Sequence, residues 1–329
     1  SELSAADTTL MDGYGHTADR AILLHAMLSA AGYAPEFVLA SGLPPVAGIT
    51  NVALAFPLPQ SFSLPLVRVN VDGVTCYLND TDQYAELGTT GSDGRMAITL
   101  ANQSFDVVRA ASEFRDKTET DYTLSISDTG KTRVGITRRY FGNAFNGKNR
   151  YFAELPPEER RRYYQELVSN VSQGAQPIGD LTTKFDSYPG EEKFTVDVDR
   201  YAVVDGRYAY LDLPYTPSLF PLGADSRTLP LYVANGYRQT VTTRLDLPKG
   251  FQRVALAPES ESFTAPDGAG KVRITSTEQD GQRTIVHEVE TAPAIIPVAD
   301  YPALLKLEST LGRKAAKTVL LESSNPVLP

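Results

Sequence analysis

Apolar positions in the first third of the chain follow a helical period and then change to strand alternation. Between residues 17 and 31, Ala21, Leu24, Leu28 and Ala31 form one stripe, which Ile22, Leu23, Met27 and Ala30 widen over most of the circumference. Such breadth predicts a central helix enclosed by other layers. Thr17 and Asp19 offer a side-chain cap and a favourable charge at its start, and Gly32 offers its stop. Further on, Leu66-Val67-Arg68-Val69, the turn signal Asp72-Gly73 and Cys76-Tyr77-Leu78 predict a β-hairpin.

After about residue 112 the texture changes to strands separated by turn residues. Thr123 to Ser127 alternates polar and apolar positions, and Asp128-Thr129-Gly130 turns the chain towards Val134 and Ile136. One helix interrupts this region: Pro156-Pro157-Glu158-Glu159 opens it, Tyr163, Leu167 and Val171 share a face, and Gly174 follows its end. Arg160, Arg161 and Arg162 sit among Glu158, Glu159 and Glu166, a pattern read as a salt-bridged solvent face in preference to a phosphate site. Strand patterns resume at 194–196, 208–211, 241–247, 272–274 and 284–289, with Asp205-Gly206, Asp267-Gly268 and Asp280-Gly281 as turn signals. The fold class expected is α+β: a helix packed on an antiparallel sheet over 1–112, then an antiparallel β-sandwich over 113–329 with one helix near 156–173 and room for two subdomains.

Composition narrows the chemistry. At 329 residues with a formal net charge of -9, the chain is long enough for two or three domains and is a poor non-specific ligand for nucleic acid or an anionic membrane. No apolar run reaches the ~18 residues of a membrane span. A single cysteine excludes an intrachain disulfide framework, and the histidines, His16, His25 and His287, have no metal-binding spacing, so neither metal nor cofactor is expected. Asn79-Asp80-Thr81-Asp82 could present oxygens to calcium but reads better as a turn with side-chain caps. Seventeen tyrosines without tryptophan suit either half-buried strand positions or an exposed aromatic face for glycans, and the sequence does not separate the two.

The start of a buried helix is where a nucleophilic thiol gains most, because unpaired backbone N–H groups there lower its pKa and stabilise an oxyanion. Gly15-His16-Thr17-Ala18-Asp19-Arg20 resembles the nucleophile helix of the transglutaminase-like, papain-type class, which opens with Gly-Asp-Cys. Phe62-Ser63-Leu64 resembles that class's Phe-Asn-His strand, and Tyr77-Leu78-Asn79-Asp80-Thr81 its Trp-Leu-Asp-Pro-Thr strand. The resemblance spans roughly residues 10 to 110 and puts Thr17, Leu64 and Asn79 at the positions of the cysteine, histidine and aspartate. Thiol acyl transfer needs a thiolate, a base and a group to orient the base, and these three residues supply none of them. His16 as activator of Thr17, or Cys76 as nucleophile, are minor alternatives.

The resemblance implies further chain before the nucleophile helix, so with fourteen residues ahead of Gly15 a piece of a longer protein is expected in preference to a trimmed core. Arg227-Thr228-Leu229-Pro230-Leu231 and Leu247-Pro248-Lys249-Gly250-Phe251 resemble phrases of the β-rich region in secreted bacterial members, which implies a periplasmic or extracellular location. The expected function is a catalytically inactive binding or assembly module at the bacterial cell envelope. Its candidate groove comprises His16, Thr17, Asp19, Tyr77, Asn79 and Asp80, with peptide or glycan as ligand. The alternatives are an active cysteine-independent or glycan- or peptide-processing enzyme, and a structural spacer without a ligand.

Overall fold

The computed structural model describes residues 2–56, 58–79, 81–248, 250–251 and 253–323, so Asp80 and Lys249 lie outside the described residues. The chain forms two compact units, one of residues 1–116 and 141–150, the other of 117–140 and 151–329.

The first unit contains helices α1 (Ala6–Asp12) and α2 (Thr17–Ala30), strand β1 (Glu36–Ala40), helix α3 (Ala47–Ala55), and strands β2 (Leu64–Val71), β3 (Val74–Leu78), β4 (Met96–Thr99) and β5 (Ser104–Val107). The strands make an antiparallel sheet in the order β3-β2-β1-β4-β5. Asp72 and Gly73 both take positive φ, 51° and 87°, which closes β2 onto β3 with the twist a two-residue hairpin requires. Val38, Ala40, Leu66, Tyr77, Ala97 and Val108 form a small core on one side of the sheet.

One expectation fails in this unit. Helix α2 is not enclosed: only Asp19 and Ala21 are buried, Met27 is exposed, and most of its other apolar residues are half-buried. Among the described residues α2 packs on α1 and β2, and an apolar circumference states what a helix can bury without stating what covers it.

The second unit begins with β6 (Lys117–Ile126) and β7 (Thr132–Phe141). Helix α4 (Asn143–Glu154) follows, its residues up to 150 belonging to the first unit, and then α5 (Pro157–Val171). The later elements are β8 (Ala175–Lys184), β9 (Gly190–Val198), β10 (Val203–Asp205), β11 (Tyr208–Asp212), β12 (Leu231–Val233), β13 (Tyr237–Asp246), β14 (Arg253–Leu256), β15 (Glu261–Thr264), β16 (Gly270–Gln279), β17 (Gln282–Thr291), β18 (Ala294–Ile296), helix α6 (Tyr301–Leu311) and β19 (Thr318–Glu322). An eight-stranded sheet runs β15-β16-β17-β13-β6-β7-β9-β8, a four-stranded sheet runs β10-β11-β19-β14, and β12 pairs with β18. Strand β13 pairs with β6 in parallel. Leu124, Ile136 and Phe194 of the large sheet, Leu211 and Leu321 of the small one, and Leu304 and Leu311 of α6 share one core. The α+β class holds. Helix α5 buries Leu167 and Val168, and its outer face carries the expected ion pairs, Arg161 with Glu158 and Arg162 with Glu159.

Candidate functional site

Helix α2 starts differently from the sequence expectation. His16, in extended conformation, occupies the cap position, and Thr17 is the first helical residue; both are exposed. The Asp19 carboxylate accepts the backbone N–H of Ser4 at 2.8 Å and that of His16 at 3.0 Å. These two bonds hold the Asp19 pKa below the ordinary carboxylate range. Asp19 is therefore a structural residue that ties α1's leading segment to the start of α2. A carboxylate with a depressed folded-state pKa contributes stability above its unfolded pKa and loses it as pH falls through the folded one. Asp19→Asn is expected to lower the melting temperature at pH 7, with the gap to the native chain closing as the buffer is acidified.

The hairpin fixes the other two positions. Leu64 pairs with Ala40, and Leu66 with Val38; Val67 pairs with Leu78 and Arg68 with Tyr77. Strand alternation then puts Leu64, Leu66, Arg68 and Tyr77 on one face, with Asn79 next along it, and puts Val67, Val69 and Cys76 on the other. Leu64 is 36% exposed, and Asn79 is exposed with its Oδ1 accepting from the Thr81 hydroxyl at 2.9 Å. Tyr77 is buried. The body of α2 lies against the opposite face, since His25 stacks on Phe37 at 4.2 Å between ring centroids while Phe37 alternates with Val38. Leu64 and Asn79 thus share a face, and the body of α2 rests on the reverse of it.

The polar chemistry on the Leu64 face comes from a residue that sequence reasoning passed over. Arg68 donates through Nε and Nη2 to Glu36 Oε2 at 2.8 and 2.6 Å, and through Nη1 to Asp106 Oδ2 at 2.9 Å. Burial alone would depress the guanidinium pKa, yet hydrogen bonding to Glu36 and Tyr77 raises it. The signal lay in the alternation Leu64-Leu66-Arg68, but its partners come from β1 and β5. Cys76, buried at 1% exposure, has its thiol pKa pushed up by desolvation and offers its Sγ to the Val74 carbonyl at 3.8 Å. That environment favours an inert thiol.

The segment after Asn79 is held by α4. The Asn146 Oδ1 accepts the Glu86 N–H at 2.9 Å and its Nδ2 donates to Thr89 at 2.9 Å; Asn143 donates to the Thr90 carbonyl at 3.1 Å and Asn149 to that of Tyr84 at 3.0 Å. Asp82 pairs with Arg150 at 2.8 Å and accepts the Tyr84 N–H, so its oxygens are engaged in a turn. Among the described residues no three His, Cys, Asp or Glu side chains gather in a metal-holding group. His25 contacts the Pro35 carbonyl at 3.1 Å, and His287 is fully buried in the second unit. No helix among the described residues is long and apolar enough to cross a membrane.

Residues 210–321 match the model of a domain of unknown function with a solved structure, DUF3858. A crystal structure from Parabacteroides distasonis, described as a candidate protease, is similar to the chain at 16% identity and a TM-score of 0.48. The similarity covers 96% of this chain and 46% of that one, so the chain spans about half the length of that protein. Comparison with curated proteins gives no match.

Proposed function

We propose that residues 10–110 form a transglutaminase-like core that has lost its chemistry and that the chain acts as a binding or assembly module at the bacterial cell envelope. Peptide or glycan is its ligand, held beside the exposed residues Leu64 and Asn79, which share a face. The observation that supports this reading is Leu64, an aliphatic side chain at the start of β2, at the position that the resemblance gives to the proton acceptor. Cys76 offers no substitute, because it is buried on the reverse of that face. Loss of the base alone removes general-base assistance worth typically 10²–10⁴-fold, and loss of the nucleophile removes the covalent route.

The test is a fluorogenic peptide panel assayed with and without a primary amine acceptor. Hydrolysis and transamidation are both expected at the buffer rate, unchanged by Cys76→Ser and Thr17→Ala. Turnover that disappears in either variant would overturn the reading in favour of an active enzyme. The binding half is checked by titration with soluble muropeptides, where Asn79→Leu is expected to weaken binding about tenfold, the value of one lost hydrogen bond to a polar ligand group.

A further inference from the structure

We infer that the outer face of the four-stranded sheet β10-β11-β19-β14 is a binding platform for a neutral polysaccharide strand. The inference stands apart from the reading of Thr17, Leu64 and Asn79, since every residue in it belongs to the second unit. One face of this sheet is closed: Ala209, Leu211, Val319 and Leu321 are buried to 0 or 1% exposure in the core. Register sets out the other. Val203 pairs with Tyr210, Tyr210 with Leu320, and Leu320 with Leu256, which makes an unbroken apolar row across all four strands. Val203, Tyr210 and Leu256 are 41, 48 and 44% exposed. The register shift between Val254 and Leu256 is what re-aims Leu256 to join the row.

A second row runs beside the first. Asp205 pairs with Tyr208, Tyr208 with Glu322, and Glu322 with Arg253, and Tyr208 is 44% exposed. Here the polar groups are arranged as partners: Arg253 Nη2 lies 2.7 Å and Arg207 Nη2 3.5 Å from the Glu322 carboxylate. On the far side of Tyr210, Asp212 accepts from the Thr318 hydroxyl at 2.6 Å. Tyr208 and Tyr210 therefore share one face of β11 with their Cα atoms about 7 Å apart, and hydrogen-bonded donors and acceptors lie in the rows around them.

Size and charge select the occupant. Four strands at about 4.8 Å spacing give a stripe roughly 14 Å long and 7 Å wide. Its area, roughly 100 Å², falls well short of the about 800 Å² per partner that a stable protein interface buries. Both arginines at the border are paired with Glu322, and Asp205 and Asp212 add further negative charge, so the cations are engaged within the sheet and not offered to a phosphate. A pyranose chain matches what remains. Its C–H faces lie on aromatic rings, and its hydroxyls, each donor and acceptor at once, meet a border of carboxylates, guanidinium groups and a hydroxyl.

The experiment is isothermal titration of the full chain with cellotetraose and chitotetraose. At least one is expected to bind, with affinity falling tenfold or more in Tyr210→Ala and in Tyr208→Ala while both variants keep the native melting temperature. Tyr232→Ala, an exposed tyrosine on β12, is expected to leave binding unchanged. The inference is overturned if neither sugar binds at millimolar concentration, or if binding survives both substitutions on β11. It is overturned equally if Tyr210→Ala abolishes a concentration-dependent dimer seen by light scattering, which would make the face a contact between copies. Because Thr17→Ala and Asn79→Leu lie in the other unit, loss of sugar binding in those variants alone would implicate the first unit's surface instead.

Discussion

Glu192→Ala is expected to destabilise the second unit by about 3–5 kcal/mol, the range for removing one partner of a buried ion pair. Glu192 has no exposed surface, and its two oxygens accept from Arg138 Nη1 at 3.0 Å and from the Tyr163 hydroxyl at 2.5 Å. The pair is cross-strand, Arg138 of β7 opposite Glu192 of β9, and Tyr163 reaches it from α5, so one carboxylate joins the sheet to its helix. Burial, and then the bond to Glu192, push the Tyr163 pKa far above the usual phenol value, and burial does the same for Tyr140 nearby. Truncation at 192 leaves Arg138 charged without its buried counterion. Tyr163→Phe should cost less, about 1–3 kcal/mol, since one acceptor bond is lost and Arg138 remains paired. The double change Arg138→Met with Glu192→Leu should come close to the native stability, because it removes both charges together. Urea denaturation followed by far-ultraviolet circular dichroism measures all three. A Glu192→Ala unfolding free energy within about 1 kcal/mol of native would mean that the carboxylate is solvated and the network unimportant.

Local chemistry made some of this fold readable. Asp72-Gly73 could close only a tight hairpin, and the alternation on either side of Asp128-Thr129-Gly130 appears as β6 and β7, with Thr120, Tyr122, Leu124 and Ile126 buried in turn. Pro157 at the first turn and the Tyr163-Leu167-Val171 face defined α5 to within two residues. Helix α4 shows why other parts were hidden. Asn143, Asn146, Gly147 and Asn149 are weak helix formers, and what holds them helical is the set of hydrogen bonds to residues 84–90, some sixty positions earlier. Helix α6 did carry a local signal, Pro302 in its first turn ahead of Leu304 and Leu311, which lay unused among the strand patterns. The parallel pairing of β13 with β6 joins Val241 to Thr120, and nothing in either strand names the other.

The candidate sites divide along the same line. Residue identity alone shows that Leu64 cannot accept a proton. Whether a face is open is a tertiary fact. The tyrosines that composition left undecided separate in the fold: Tyr77, Tyr122 and Tyr301 are buried, while Tyr208 and Tyr210 stand in register on an open face. Arg68 likewise gains its meaning only when β1, β2 and β5 bring Glu36 and Asp106 to it.

His287 gives the clearest pH dependence. Its imidazole is fully buried on β17 opposite Val241 and Ile274, with Tyr215 edge-on at 5.4 Å, and neither ring nitrogen has a hydrogen-bond partner among the described residues. Burial lowers its pKa from 6.5 to about 4. The unfolded chain therefore binds a proton at a pH where the folded chain resists one. Stability is unaffected above pH 6.5, falls as pH drops from 6.5 towards 4, and levels off below both values, with a total loss of about 3 kcal/mol. Carboxylates such as Asp121, held below the ordinary range in spite of burial by Arg244 and Arg139, add acid lability of their own at lower pH. The variant His287→Leu separates the two contributions, because it fills most of the same volume and cannot titrate. Denaturation midpoints of the native chain and of His287→Leu, measured from pH 8 to pH 4.5, should diverge steadily as pH falls, the variant retaining about 2 kcal/mol more of its pH 8 stability at the acid end. Parallel curves would show that the imidazole reaches a proton donor or acceptor in the folded state and that its burial is compensated.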